Sequence, residues 1–260
     1  MPDAVRVGLP IAFLALGITL KRLFPLFSTE RPWAHVATNV ALLAGVAAIS
    51  TLVGFVTLGL LDANAWEFGL LHQLDLPAWA EFTIALLALD FSAQYFAHAI
   101  LHRYKWLWKL HIVHHSDRHV DASTGTRLHP FDFLLREVIA WTVVAALGIP
   151  IVYYAFYRLV TPLFTYINHA NVRVPERLDR LLTLIIVTPN MHKVHHHDER
   201  PWTDCNFGNL FSIWDRLFGT FAYAPPEEIT SGLDVLRERA DPPAATLYAL
   251  PFDGTVKTDY

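Results

Sequence analysis

The chain contains one cysteine, Cys205, and two methionines in 260 residues. A single cysteine excludes an intramolecular disulfide framework and any zinc site built from several thiolates, so a metal bound here takes nitrogen and oxygen ligands. Charge is scarce as well. Asp, Glu, Lys and Arg make up 17% of the residues, against roughly 25% in an average soluble domain. With a formal net charge of -4 and no stretch that interleaves basic and aromatic residues, the chain has no electrostatic footprint for nucleic acid. No Gly/Ser-rich or Pro-rich linker divides it before residue 222, no glycine fingerprint for flavin or nicotinamide is evident, and there is no fused haem domain.

What the chain has in quantity is apolar sequence, 53% of all residues, and it comes in runs. Residues 36–61 hold no charged side chain in 26 positions, enough helix for roughly 39 Å and therefore for a bilayer core of about 30 Å. A second candidate span covers 79–101, interrupted by Glu81 and Asp90. The run 9–20 has the length of a signal-peptide apolar region, but Lys21 and Arg22 follow it and no small-residue cleavage site is evident, so it reads as a short anchor. Between 133 and 170 the chain is again mostly apolar, broken by "LGIP" at 147–150, which predicts a helical hairpin. Arg158 within it snorkels, pairs, or marks the end of a span.

Lys21, Arg22 and Arg31 precede the span at 36–61, and Arg103, Lys105, Lys109, Arg118, Arg127 and Arg136 follow the span at 79–101. The intervening loop, 62–78, has acids but no Lys or Arg. Because basic residues concentrate on the cytoplasmic side, both basic segments are expected there.

Fourteen histidines are distributed in a pattern. His98 and His102 are four residues apart, on one face of a helix. "HIVHH" places His111, His114 and His115 at i, i+3 and i+4, and "HKVHH" repeats this with His192, His195 and His196. One such HxxHH match is expected by chance roughly 0.04 times in a chain of this composition, so two call for a shared cause. Eight imidazoles at or near membrane depth are costly without a common partner. They are too many for one zinc ion, and the metalloprotease pattern fails because Lys193 stands where its Glu belongs. Two ions, each with an open position, suit the number; imidazole serves iron, zinc and manganese alike.

With its boxes in the order HxxxH, HxxHH and HxxHH, the chain resembles the fatty acid hydroxylase and sterol desaturase superfamily of membrane di-iron oxygenases. The resemblance extends through "HHSDRHVDASTGTRLHP", "NHANV", "TPNMHKVHHH" and "DCNFGNLFSIWDRLFGT", and covers roughly residues 80–255. It implies an all-α fold: an integral membrane helical bundle of about four spans or hairpin segments with a cytosolic, histidine-rich helical catalytic cap. The expected organisation is N-terminal spans at 1–78, the catalytic region at 79–222 and a cytosolic C-terminal tail, 223–260, packed on that region.

The resemblance further implies that the eight box histidines ligate metal with His169 of "NHAN" as a ninth, holding two Fe ions, with Zn possible in purified protein. His129 of "RLHP" is either a ligand or a support for the site. His119 and His197 lie outside the motifs, and His35 and His72 are expected at solvent or an interface. Asp117, Asp121, Asp204 and Asn206, close in sequence to the boxes, either accept the outer N–H of a ligating ring or cap helices. "SIWDRLFGT" reads as a short amphipathic helix with Trp214, Leu217 and Phe218 on its packed face. The implied reaction is O₂-dependent hydroxylation or desaturation of a lipid C–H bond, with electrons from a separate ferredoxin or cytochrome. Two rivals remain at this level, a di-zinc hydrolase and a non-catalytic metal-binding membrane protein.

Overall fold

The computed structural model describes residues 32–62, 69–236 and 242–256, together with isolated positions 12, 15, 19 and 25–27. The expected anchor at 9–20 falls outside the described residues but for three positions, as does part of the 62–78 loop. The described residues are helical, with only isolated β-bridges.

Helix α1 (Pro32–Asp62) opens on a proline and carries no basic residue in its last turn. Asn39, Leu42 and Val46, spaced one and two turns apart, are its buried side, while Leu52, Phe55 and Val56 stand exposed. Gly45 sits where a β-carbon would come within 2.7 Å of Pro130 and 2.8 Å of the Tyr248 hydroxyl. Only glycine lets the C-terminal segment approach this closely, and its N–H donates to that hydroxyl at 3.1 Å.

Helix α2 (Ala78–Leu89), a π-helical stretch (Asp90–Phe96) and α3 (Ala97–Arg103) form one continuous rod of 26 residues. This rod and Trp33–Val56 of α1 are the two described helices long and apolar enough to cross a membrane. At Tyr104 the backbone turns extended and α4 (Lys105–His115) folds back. The predicted hairpin forms as α5 (Pro130–Leu147) and α6 (Ile151–His169), with Gly148 in the left-handed conformation at the break and Pro150 ahead of α6. Short helices α7 (Glu176–Leu182), α8 (Pro189–His195), α9 (Ile213–Leu217) and α10 (Ala244–Ala249) complete the described elements.

Two apolar clusters set these elements in place. Ala85, Leu89 and Ala93 of the rod pack on Ala140 and Val144 of α5 and on Tyr154 and Tyr157 of α6. Leu42 of α1 and Trp108, Ile112 and Val113 of α4 pack on Leu233, Leu236, Leu247, Leu250 and Val256, so the C-terminal residues fold back over α1 and α4.

Expectation and structure differ at α9. Trp214 is partly buried and donates its indole N–H to Asp90 at 2.9 Å, but Leu217 is 70% and Phe218 53% exposed. Leu217 closes this helix of five residues, and Phe218, despite its exposure, stacks on Phe91 and Tyr95 of the rod with ring centroids 5.4 Å apart.

Candidate metal centre

The two HxxHH boxes end helices. In α4 the last turns carry His111, His114 and His115; in α8, which opens on Thr188 accepting the Met191 N–H and on Pro189, they carry His192 and His195, with His196 as the cap residue. His98 and His102 lie on α3, and His169 closes α6. Lys193, between two box histidines, turns the other way, its ammonium donating to the Ala170 carbonyl at 2.6 Å. That bond ties the chain just beyond His169 to α8 and brings the rings of His169 and His192 together.

The nine histidines gather into two buried groups. His98, His102, His111, His115 and His195 form one; His114, His169, His192 and His196 form the other, and within each group the candidate ligand atoms lie within 4.8 Å of one another. No carboxylate or thiolate belongs to either group.

The outer ring nitrogens are held mostly by backbone. Nδ1 of His98 faces the Phe207 carbonyl at 2.9 Å, that of His195 the Cys205 carbonyl at 2.7 Å, that of His114 the Arg127 carbonyl at 3.2 Å, and that of His169 the Thr165 carbonyl at 2.6 Å. Two carboxylates do the same work: Asp204 lies 3.3 Å from Nδ1 of His102, and Asp132 lies 2.6 Å from Nδ1 of His111. The Asp132 carboxylate also accepts from Nε of Arg136 at 2.8 Å.

These bonds fix tautomers, and the tautomers bear on what the centre holds. A neutral imidazole has one N–H. In His98 and His111 that proton sits on Nδ1, so their Nε2 lone pairs face each other at 2.9 Å. In His114 and His169 the same argument leaves two Nε2 lone pairs 3.0 Å apart. Burial, and then the neighbouring rings and cations, push the pKa values of His114, His115, His192, His195 and His196 well down, and burial lowers that of His111 as well. The rings are therefore neutral near pH 7 and unable to relieve the contact by sharing a proton. Both nitrogens of His115 and of His196, Nε2 of His195 and Nδ1 of His192 are buried without a hydrogen-bond partner. Each such atom costs about 1–3 kcal/mol unless something accepts its lone pair or proton. A cation in each group satisfies lone pairs that otherwise repel. The all-imidazole donor set fits iron or zinc.

A cavity of about 490 Å³ touches both groups, reaching His98 and His111 of the first and His114, His169 and His192 of the second. Leu43, Val46 and Ala47 of α1 line one part of it, and Arg136, Glu137 and Arg158 of the hairpin another. Arg158 pairs with Glu137, which settles its role among the three that the sequence left open.

Several expected neighbours of the boxes are elsewhere. Asp117 accepts from His35, Asn39 and Thr124, and Asp121 caps the short turn at Ala122–Thr126; neither reaches a box histidine, because the chain turns toward α1 once α4 ends. His35 is accordingly part of a buried network rather than a solvent or interface residue. Asn206 donates to the carbonyls of Met191 and Ala222 and so supports α8, not a ring. His129 caps α5, accepting the Phe131 N–H at 3.3 Å, and belongs to neither group. His72 and His119 are exposed, and His197 is half-buried. The residue that sequence reasoning passed over is Asp132. Its one visible signal was an acid in the first turn of an otherwise apolar hairpin.

A helical bundle with two long apolar helices and two buried all-histidine clusters at a shared cavity defines a histidine-box membrane-type metalloprotein. The model of the fatty acid hydroxylase family matches residues 82–220, more than half of the chain, and the protein belongs to that family. It is 28% identical to the ornithine lipid hydroxylase of Rhizobium tropici over 159 residues, 61% of this chain and 46% of the relative. It is 33% identical to human alkylglycerol monooxygenase over 174 residues, 65% of this chain and 36% of the relative. Human lathosterol oxidase matches over 147 residues at 25% identity, 54% of this chain and 42% of the relative. The chain thus spans less than half the length of each of these relatives. No solved structure matches it.

Proposed function

We propose that the protein is a membrane-bound lipid oxygenase whose two histidine groups each hold one iron ion. The observation that carries this reading is the gathering of nine imidazoles into two buried groups that share one cavity, which also borders an outward-facing apolar helix. Iron bound there supplies O₂ activation and the oxidising power to remove hydrogen from an unactivated C–H bond.

The chain's own residues do the rest. His98, His102, His111, His115 and His195 ligate one ion, and His114, His169, His192 and His196 the other. Carbonyls 205 and 207 and the carboxylates of Asp132 and Asp204 keep the rings turned inward, which preserves donor geometry during turnover. Leu43, Val46 and Ala47 admit hydrocarbon from the bilayer and exclude water from the reacting carbon. The product is an alcohol, or an alkene if a second hydrogen is lost. Electrons come from a separate ferredoxin or cytochrome. The hairpin α5–α6 enters the membrane beside α1 and the rod, and the histidine level faces the cytoplasm.

Lipid profiling under ¹⁸O₂, in cells with and without the protein, tests the reading. The expected result is one lipid class gaining a single ¹⁸O or losing two hydrogens only when the protein is present. In the same cells His111→Ala and His195→Ala abolish the product and lower bound iron while the protein still inserts. Unchanged lipids, or product that persists without O₂, would refute an oxygenase.

A further inference from the structure

The cavity wall formed by the hairpin is unusual for a chamber meant to hold hydrocarbon. Arg158, in the middle of the apolar helix α6, donates from Nη1 to Glu137, whose other oxygen accepts the Tyr154 hydroxyl at 2.7 Å. Arg136 donates from Nε to Asp132 at 2.8 Å. Both carboxylates are buried, Asp132 fully and Glu137 nearly so. The arginines keep more exposure, 27% for the Arg158 side chain against 4% for Glu137, and both line the cavity. Each guanidinium therefore has one nitrogen fixed from behind. Among the described residues, no acceptor meets Nε or Nη2 of Arg158, or either terminal nitrogen of Arg136.

Two guanidiniums oriented by buried carboxylates, with unused N–H groups around one cavity, are the arrangement that recognises a carboxylate or phosphate. A hydrocarbon terminus placed there would strip water from those N–H groups and return no hydrogen bond. Cζ of Arg158 also lies 5.1 Å from the centroid of the Phe133 ring, which lines the same cavity. Arg136 is also one side chain from the first histidine group, through Asp132 and His111.

We propose that Arg158 and Arg136 receive the anionic headgroup oxygen, phosphate or carboxylate, of the lipid. The headgroup enters the chamber first and the tail lies along α1 at Leu43, Val46 and Ala47. The carbon presented to the histidine groups is consequently a few bonds from the headgroup, not far down the chain. This inference rests on the lipid-oxygenase reading for its substrate and adds which end of the lipid binds where.

The test is a binding measurement without turnover, on the full-length protein in nanodiscs. The probes are a monoacylglycerol, its phosphate and the free fatty acid, all with the same acyl chain. One charge-assisted contact, about tenfold in affinity, should make the phosphate or the fatty acid bind at least that much tighter than the neutral probe. Whichever anion gains identifies the headgroup. Arg158→Gln removes the gain and leaves the neutral probe within about threefold of wild type. Arg158→Gln/Glu137→Gln, which removes both charges together, does the same without leaving a buried carboxylate unpaired. Equal affinity for all three probes in the wild-type protein, or a preference that survives in both variants, overturns the proposal. Iron content and ¹⁸O incorporation are read separately, so a failure of the oxygenase reading is distinguishable from a failure of headgroup binding.

Discussion

Asp132 and Asp117 are both buried carboxylates near the second histidine box, and they have opposite jobs. Asp132 receives the outer N–H of His111 at 2.6 Å and the Arg136 Nε–H at 2.8 Å. Asp117 accepts from His35, Asn39 and Thr124 and so ties α1 to the segment beyond α4. Asp132→Asn should lower metal affinity about 10–100-fold, the usual effect of removing the partner of a ligating histidine, with helical content unchanged. Asp117→Asn should instead cost about 1–3 kcal/mol of stability, through donors left poorly matched, with metal per folded protein unaltered. Chelator competition followed by elemental analysis, alongside thermal unfolding, separates the two outcomes. The sequence made the ring-bearing positions plain, since i, i+3, i+4 spacing can serve only one helix face. Of their supports it offered only Asp204, because four are backbone carbonyls and Asp132 lies 21 residues from its ring. Proximity in sequence pointed to Asp117, which the turn after α4 carries away from the rings.

The rod from Ala78 to Arg103 shows how an element can look weaker in sequence than it is. Asp90 interrupts its apolar run, yet in the folded chain it is fully buried and its carboxylate accepts Leu210 N–H and Phe211 N–H, each at 3.2 Å, and the Trp214 indole at 2.9 Å. Downstream of it the backbone is π-helical through Phe96, a local widening that residue periodicity does not announce. The loop thus clamped contributes the Phe207 carbonyl to His98, and Asp215 accepts the N–H groups of Phe207 and Gly208 at 2.7 and 2.9 Å. Asp90→Ala should leave three donors buried and unmatched, about 1–3 kcal/mol each at the outset. Hydrogen exchange in residues 206–214 should accelerate by at least about tenfold, since 1.4 kcal/mol of local opening corresponds to that factor. Asp90→Asn keeps one acceptor oxygen and should fall between. If exchange there is unchanged in Asp90→Ala, the clamp is not what holds the loop. The hairpin, by contrast, was readable from "LGIP" alone, because Gly148 and Pro150 act through local backbone geometry.

At the scale of the whole molecule the open matter is which side of the membrane the histidines face. The start of α1 touches the segment that follows the second box, through His35 and Asn39, while the rod ends at that box's threshold with His98 and His102. The two apolar helices are therefore antiparallel, and the start of α1 lies at the same end as the close of the rod and the basic residues that follow it. Trp79 and Trp106, 72% and 68% exposed, flank the rod at its two ends, as aromatic side chains do at membrane interfaces. The Lys and Arg residues that follow the rod are the basis for the proposal that the histidine end is cytoplasmic. A single added cysteine reads this directly. Glu228 is exposed on the segment packed beside α8, and the native Cys205 is buried with its thiol pushed well above the usual range by burial. Glu228→Cys can accordingly be labelled without removing Cys205, whose buried side chain packs with Val194 of α8 and Ile229. A membrane-impermeant maleimide should modify Glu228→Cys in inverted vesicles and leave it untouched in sealed right-side-out vesicles. Labelling in the right-side-out vesicles alone would place the histidine level outside, and the electron donor would then have to be sought on the opposite face of the membrane.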